Sequence, residues 1–257
     1  PTMGEQLMRQ QTLDSRQALD SRQTLDGKQP LTAVRFDAPV TLDAVKANPF
    51  IAAYIRRADE QMGVLGYTEH GERHAALVSR IAYNILSHLG YPERTAELAA
   101  IAGYLHDTGN LLHRKNHPMS SALLSMMELR QMHMDPAELA IIMGAVGNHE
   151  EDQGDPVSEV SAAVIIADKS DVHRSRVRNP NTLAFDIHDR VNYAAQRSFV
   201  RVDNDHKTIS LELDIDTSIS QVMEYFEIFL SRMLISSRAA NYLGCNFELV
   251  INKVKLL

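Results

Sequence analysis

From about Asp43 to Arg178 the apolar residues recur at helical spacing, and the polar stretches between them are short. Turn-forming residues at Gly63, Gly66, Gly90-Tyr91-Pro92, Gly109-Asn110, Pro118, Asp135-Pro136 and Gly154-Asp155-Pro156 divide this region into a bundle of short helices. One helix start is explicit: Asp135 is a capping residue, Pro136 suits the first helical position, and Glu138 completes a capping box ahead of Leu139, Ile142 and Val146. After Pro180 the period falls to two. Ile209, Leu211, Leu213 and Ile215 alternate with polar residues as in a half-buried strand, and Phe199 to Val202 can pair with it through a turn at Asp203-Asn204-Asp205. Ile219, Val222, Phe226, Phe229 and Met233 then form a helical stripe, and Phe247 to Val254 reads as a last strand. The expected fold is mainly α: a helical bundle over residues 36–180, followed by a small β-β-α-β unit over 181–257.

Residues 1–35 carry a different pattern. Thr12-Leu-Asp-Ser-Arg-Gln17, Ala18-Leu-Asp-Ser-Arg-Gln23 and Thr24-Leu-Asp-Gly-Lys-Gln29 form a near-repeat of six residues with one large apolar residue per unit, too few to drive a packed core. Three copies are too few for a solenoid, and the segment is expected to be a flexible extension. A net charge of -7 argues against a partner built of nucleic acid, which selects a basic face. With no run of about 20 apolar residues and a lone cysteine, Cys245, expected as a small buried residue, the chain is expected in the cytoplasm and off the membrane.

Several polar residues stand where apolar ones belong. His74 begins the stripe continued by Leu77, Val78, Ile81 and Ile85, and His149 extends the stripe of Ile142, Ala145 and Val146. Asp168 follows Val164 and Ile165 at core spacing, and a helix from Ala96 to Leu105 delivers His106-Asp107, after which Gly109 turns the chain away. An unpaired buried carboxylate is costly. Inward imidazoles and carboxylates from separate helices need a shared partner, which a divalent cation supplies by accepting all their lone pairs.

The ordered set of His74, His106-Asp107 within Leu105-His106-Asp107-Thr108-Gly109, and Asp168 within Ile166-Ala167-Asp168-Lys169 resembles the HD-domain superfamily of metal-dependent phosphohydrolases. The match spans about residues 70–178. His117, before Pro118, and His149, in Gly147-Asn148-His149-Glu150, resemble the extra ligands of binuclear members, which include the HD-GYP cyclic-dinucleotide phosphodiesterases. Three positions depart from that pattern: Asn110 stands where a lysine often follows the turn glycine, Asn148 replaces a histidine before the glutamate, and Gly154-Asp155-Pro156 replaces Gly-Tyr-Pro. The resemblance implies that His74, His106, Asp107 and Asp168 hold one ion, and that Asp107, His117 and His149 hold another. One or two divalent ions are expected, with Mn, Fe, Mg, Co, Ni and Zn all open.

The implied chemistry is attack of a metal-activated water on a small phosphoester, a nucleotide or cyclic (di)nucleotide among the candidates. Asp107 and Lys169 are the candidate catalytic side chains. Arg114, Lys115 and Arg174 are the candidate phosphate grips, with Lys169, Arg176 and Arg178 nearby in sequence. Asp171 reads either as support for a ligand or as a solvent-facing cap, and His70, one turn before His74, can line the same cavity. Two rival readings fit the same ligand order: a mixed-valence di-iron oxygenase on this fold, and a non-catalytic nucleotide-binding regulatory protein. An unpaired strand edge in the C-terminal unit would favour a homodimer.

Overall fold

The protein is described here by a computed structural model covering residues 38–178 and 186–256. The hexapeptide repeat lies outside the described residues. Among the described residues, seven helices build the N-terminal bundle: α1 (Leu42–Ala47), α2 (Pro49–Val64), α3 (Glu72–His88), α4 (Glu93–Leu105), α5 (His117–Gln131), α6 (Pro136–Gly147) and α7 (Glu159–Lys169). Their ends are written in local chemistry. Asn48 accepts from the Phe50 amide at 2.9 Å ahead of Pro49, and Ser158 accepts from the Ser161 amide at 3.0 Å to start α7. Gly66 and Gly90, both at φ 82°, close α2 and α3 in the left-handed conformation.

Helix α7 is buried all round from Val160 to Ala167 and packs against α3, α4 and α6, so it is the bundle's central element. Helices α3 and α4 meet closely because Gly103 has no side chain: a Cβ there would sit 3.1 Å from the Ser79 backbone. That approach brings the C-terminal end of α4, and with it His106, to the start of α3.

The C-terminal unit comprises α8 (Ile187–Ala194), β1 (Ala195–Asp203), β2 (Thr208–Ile215), α9 (Val222–Tyr242), β3 (Asn246–Ile251) and β4 (Val254–Lys255). The sheet order is β1-β2-β3-β4; β2 and β3 are parallel with α9 as the crossover, and the other two pairs are antiparallel. Ile209, Ile235, Ala239 and Cys245 join the apolar core of the bundle, while Leu211, Leu213, Tyr225, Phe229 and Leu249 form a second core under the sheet. Among the described residues no helix is long and apolar enough to cross a membrane.

The mainly α architecture with a small C-terminal sheet matches the pattern read from the sequence, with four local differences. The expected strand Phe247 to Val254 is two strands, because Asn252 and Lys253 both adopt positive φ and turn the chain back. Helix α8 was not foreseen; its eight residues offer only Ile187, Val191 and Ala194 as a stripe. Gly63 lies inside the last turn of α2 instead of ending it. Asp135 caps α6, accepting from the amides of Ala137 at 2.8 Å and Glu138 at 3.2 Å, but Glu138 turns away to pair with Arg94 instead of completing a capping box.

Gly109 is required for a reason other than a strained backbone. A Cβ on it would lie 2.3 Å from the His117 carbonyl oxygen and 2.5 Å from the Ser121 nitrogen, so the loop after the His-Asp pair presses directly on the start of α5. Gly109→Ala is expected to destabilise the fold by about 2–3 kcal/mol, read as a lowered midpoint in thermal or urea unfolding. Gly144→Ala, where the nearest neighbour is Val157 at 3.8 Å, is expected to be neutral or to stabilise by up to about 1 kcal/mol. Equal losses at both positions would contradict this reading.

Candidate metal centre

Five elements converge on one buried cluster. His74 comes from the first turn of α3, His106 and Asp107 from the end of α4, His117 from the first residue of α5, His149 from just beyond α6, and Asp168 from the last turn of α7. Adjacent residues within a helix diverge by about 100°, yet His106 and Asp107 reach one place because α4 ends at Leu105. Asp107 takes φ -104°, ψ 1°, at the head of the 3₁₀ turn Thr108–Leu111, which swings its carboxylate back across the imidazole.

The first group consists of Nε2 of His74 and His106, Oδ2 of Asp107 and Oδ1 of Asp168. The two imidazole nitrogens are 3.2 Å apart; His74 lies 3.5 Å from Asp107 and 3.3 Å from Asp168, and His106 lies 3.3 and 3.5 Å from the same oxygens. These five separations of 3.2–3.5 Å are of the size expected between donors that each lie about 2.0–2.2 Å from a shared divalent ion. The second group shares Asp107 through its other oxygen. His117 Nε2 is 3.0 Å from His149 Nε2, 3.2 Å from Asp107 Oδ1 and 3.3 Å from Glu150 Oε2. His149 Nε2 is 3.9 Å from both of those carboxylate oxygens. Asp107 therefore stands between the groups with one oxygen toward each.

The far nitrogens of the rings explain why the near ones face inward. Nδ1–H of His74 donates to Asp171 at 2.7 Å, that of His106 to the Gly103 carbonyl at 2.8 Å, that of His117 to the Arg114 carbonyl at 3.0 Å, and that of His149 to the Val146 carbonyl at 2.6 Å. With Nδ1 committed as donor, a neutral ring presents a bare lone pair at Nε2. Two such lone pairs 3.0–3.2 Å apart repel unless a cation or a proton lies between them. The donor set of imidazole nitrogen and carboxylate oxygen thus fits metal-ion binding.

Asp171 is no solvent-facing cap. It is buried, and besides His74 it accepts from Arg73 Nη2 at 2.8 Å, while Arg176 donates to its backbone carbonyl at 2.9 Å. Arg73 is further tied to Glu69. On the opposite side Lys169, buried beside Asp168, places Nζ 2.8 Å from Asp168 Oδ2 and 2.5 Å from Glu151. Asp168 accordingly turns one oxygen to the imidazoles and the other to an ammonium.

These contacts set the charge state of the metal-free cluster. Burial and Arg176 favour the neutral His74 ring, but Asp107, Asp168 and Asp171 outweigh them and raise its pKa to about 9. Burial likewise opposes charge on His106, and Asp107 and Asp168 prevail, raising it to about 10. Burial, then His106 and His117, hold His149 well below its ordinary value, leaving it neutral. Burial would raise the two aspartates, yet His106 draws Asp107, and Lys169 with His106 draws Asp168, well below the usual carboxylate range.

The remaining candidates fall in different places. Arg114 lies at the edge of the second group, 3.6 Å from Glu150 and 3.4 Å from Asn110 Oδ1, with its guanidinium over the Tyr67 ring. Lys115 is exposed beside it. Arg174 is elsewhere, over the ring of Tyr193 in α8, and Arg178 pairs with Asp59. His70 does line the cluster, its ring edge-on and 5.6 Å from that of His74. Glu150 and Glu151 escaped the sequence reading because both lie past the end of α6, where helical periodicity no longer says which side chain turns inward; adjacency to His149 was the available signal. Asn110 occupies its own role, donating to Asp107 Oδ1 at 2.9 Å.

No protein-family model matches the chain. An uncharacterized protein of Methanocaldococcus jannaschii is 28% identical over 188 residues, covering 63% of this chain and 71% of its own length. A solved structure from an uncultured Thermotogales bacterium, described as a predicted HD superfamily hydrolase, is similar at 24% identity and a TM-score of 0.39, covering 48% of this chain and 67% of that one. The chain is thus similar over part of its length to a protein so described, and it gathers the buried histidines and aspartates into groups able to hold metal ions.

Proposed function

We propose that the chain is a metal-dependent phosphohydrolase acting on a small phosphoester. The observation that carries this reading is the convergence of four imidazole Nε2 atoms on Asp107, whose two oxygens face two adjacent groups of donors. In it, His74, His106, Asp107 and Asp168 hold one ion, and Asp107, His117, His149 and Glu150 hold the second. Ions so held supply a water deprotonated near neutral pH and stabilise charge added to phosphorus.

The chain's own residues divide the rest of the work. Asp107 keeps both groups in register. Lys169 neutralises the outer oxygen of Asp168 and fixes its orientation, and Asp171, clamped by Arg73, fixes the His74 ring. Arg114 is the cation nearest the cluster with a face toward an open cavity, and is assigned to the phosphoryl oxygens; Lys115 adds charge at the same rim. Arg174 has no part in this assignment, because it faces α8.

The test is release of phosphate, or of a phosphomonoester from a diester, by chelator-treated protein reloaded with Mn, Co, Fe, Mg, Ni or Zn in turn. Asp107→Asn is expected to lower kcat/KM by about 10³-fold or more, on the scale of losing the activated nucleophile. Asp171→Asn is expected to weaken metal binding by about 10–100-fold. A full rate in Asp107→Asn, or no release with any metal, contradicts the proposal.

Metal uptake also carries a signed pH dependence. His74 and His106, held at about 9 and about 10, are protonated at pH 7 in the metal-free chain and must lose those protons to ligate. Calorimetric titration at pH 7 in buffers of different protonation enthalpy is expected to show about two protons released per chain, with affinity rising as pH rises toward 9. For the metal-free fold the sign is opposite. The stability that these raised histidines contribute is complete below their ordinary value near 6.5 and is lost as pH climbs through 9–10. Metal uptake with no proton release would contradict the assignment of these two rings.

A further inference from the structure

Four large apolar side chains are left exposed around one cavity beside the metal centre. Val64 and Leu65 at the end of α2 are 88% and 61% exposed, Tyr67 in the following loop 45%, and Leu112 after the His-Asp turn 63%. All four line a cavity of about 730 Å³. Scattered apolar exposure is ordinary, but a contiguous apolar wall rimmed by cations marks a binding surface. Here Arg114 and Lys115 provide the cations of that rim, while Arg57, farther along it, is paired with Glu60 at 2.8 Å.

Two residues join this wall to the proposed metal centre. Asn110 lines the cavity and donates to Asp107 Oδ1 at 2.9 Å; Arg114 lines it and lies 3.6 Å from Glu150. A molecule whose anionic end is held at the second donor group therefore has its remaining body beside Tyr67, Leu65, Val64 and Leu112. Arg114 is itself seated over Tyr67, with the ring centroid 5.7 Å from the guanidinium carbon, so the charged and apolar parts of the cavity adjoin without a gap.

We propose that this cavity receives the organic group of the substrate, and that the group is apolar and ring-sized: the substrate class is a phosphoester with an aromatic or similarly apolar ester group, in preference to a compact polyol or sugar phosphate. The proposal rests on the phosphoryl end lying at the metal centre assigned above. Its selectivity comes from apolar surface removed from water against Leu65, Leu112 and Val64, while Arg114 fixes the anion and so the direction of entry.

Phosphonates that cannot be hydrolysed separate this cavity from catalysis. Binding of phenylphosphonate and methylphosphonate to the metal-loaded full chain is compared by calorimetry, in the wild type and in Leu65→Ser/Leu112→Ser. Both substituted residues are largely solvent-exposed, so the fold and the metal content are expected to persist. The expected result is phenylphosphonate binding about tenfold more tightly, a gap that falls below about threefold in the double variant while methylphosphonate affinity is unchanged. Equal affinities in the wild type, a gap untouched by the double variant, or binding of neither phosphonate would each overturn the proposal. A tenfold gap in a chain that hydrolyses no ester would support the cavity assignment while removing the catalytic reading, so the two fail separately.

Discussion

Two imidazole nitrogens 3.2 Å apart in a buried site, His74 Nε2 and His106 Nε2, define the constraint on which the rest of the structure depends. A second pair, His117 and His149, repeats it at 3.0 Å. In each ring the opposite nitrogen is spent on a carbonyl or carboxylate, so rotation or tautomer exchange would break a buried hydrogen bond to relieve the contact. The arrangement is tolerable with protons or cations among the nitrogens. In the metal-free chain the carboxylates of Asp107 and Asp168 supply the compensation by holding His74 and His106 protonated. Divalent ions would replace those protons with a partner for all the lone pairs at once.

The helices are arranged to keep this cluster fixed. Gly103 lets α4 lie against the backbone of α3, Gly109 lets the following loop press on α5, and α7, buried from Val160 to Ala167, carries Asp168 into the cluster. Polar groups outside the cluster restrain its carboxylates: Lys169, itself paired with Glu151, at Asp168, the Asn110 amide at Asp107, and Arg73 and Arg176 at Asp171. Each group that faces a candidate ion is therefore backed by another that fixes its angle, the arrangement expected where donor geometry sets affinity. On the open side the restraint gives way to a cavity whose walls change from cationic to apolar within one side chain.

Much of this was legible in the sequence because burial and chemistry disagreed at identifiable positions. His74 and His149 sit on apolar helical stripes, and Asp168 interrupts the core face of the most buried helix; each is a polar group whose position demands a partner. The helical bundle and the hairpin β1-β2 follow from periodicities of 3.6 and 2. What could not be read lies where periodicity stops. Glu150 and Glu151 follow the end of α6, and their directions are set by the path of the chain to α7. Arg174 and Arg114 look alike as cations near the cluster in sequence, but a 3₁₀ turn sends Arg174 to Tyr193 while the loop before α5 sends Arg114 to Glu150. The turn at Asn252-Lys253 was missed because lysine gives no sign of a left-handed conformation. The apolar cavity needed coordinates, since Val64, Leu65, Tyr67 and Leu112 come from segments more than 40 residues apart in part and have no shared period.

The central claim is that the converging imidazoles are a metal centre, and metal content tests it most directly. Protein purified without chelator or affinity metal, and again after titration with Mn, Co, Fe or Zn, is measured by elemental mass spectrometry. The account predicts about two divalent ions per chain, falling to about one in His117→Ala and to none held tightly in Asp107→Ala. A wild-type chain that retains no ion under any titration would contradict it, and would leave the protonated histidines and their carboxylates as a purely structural core.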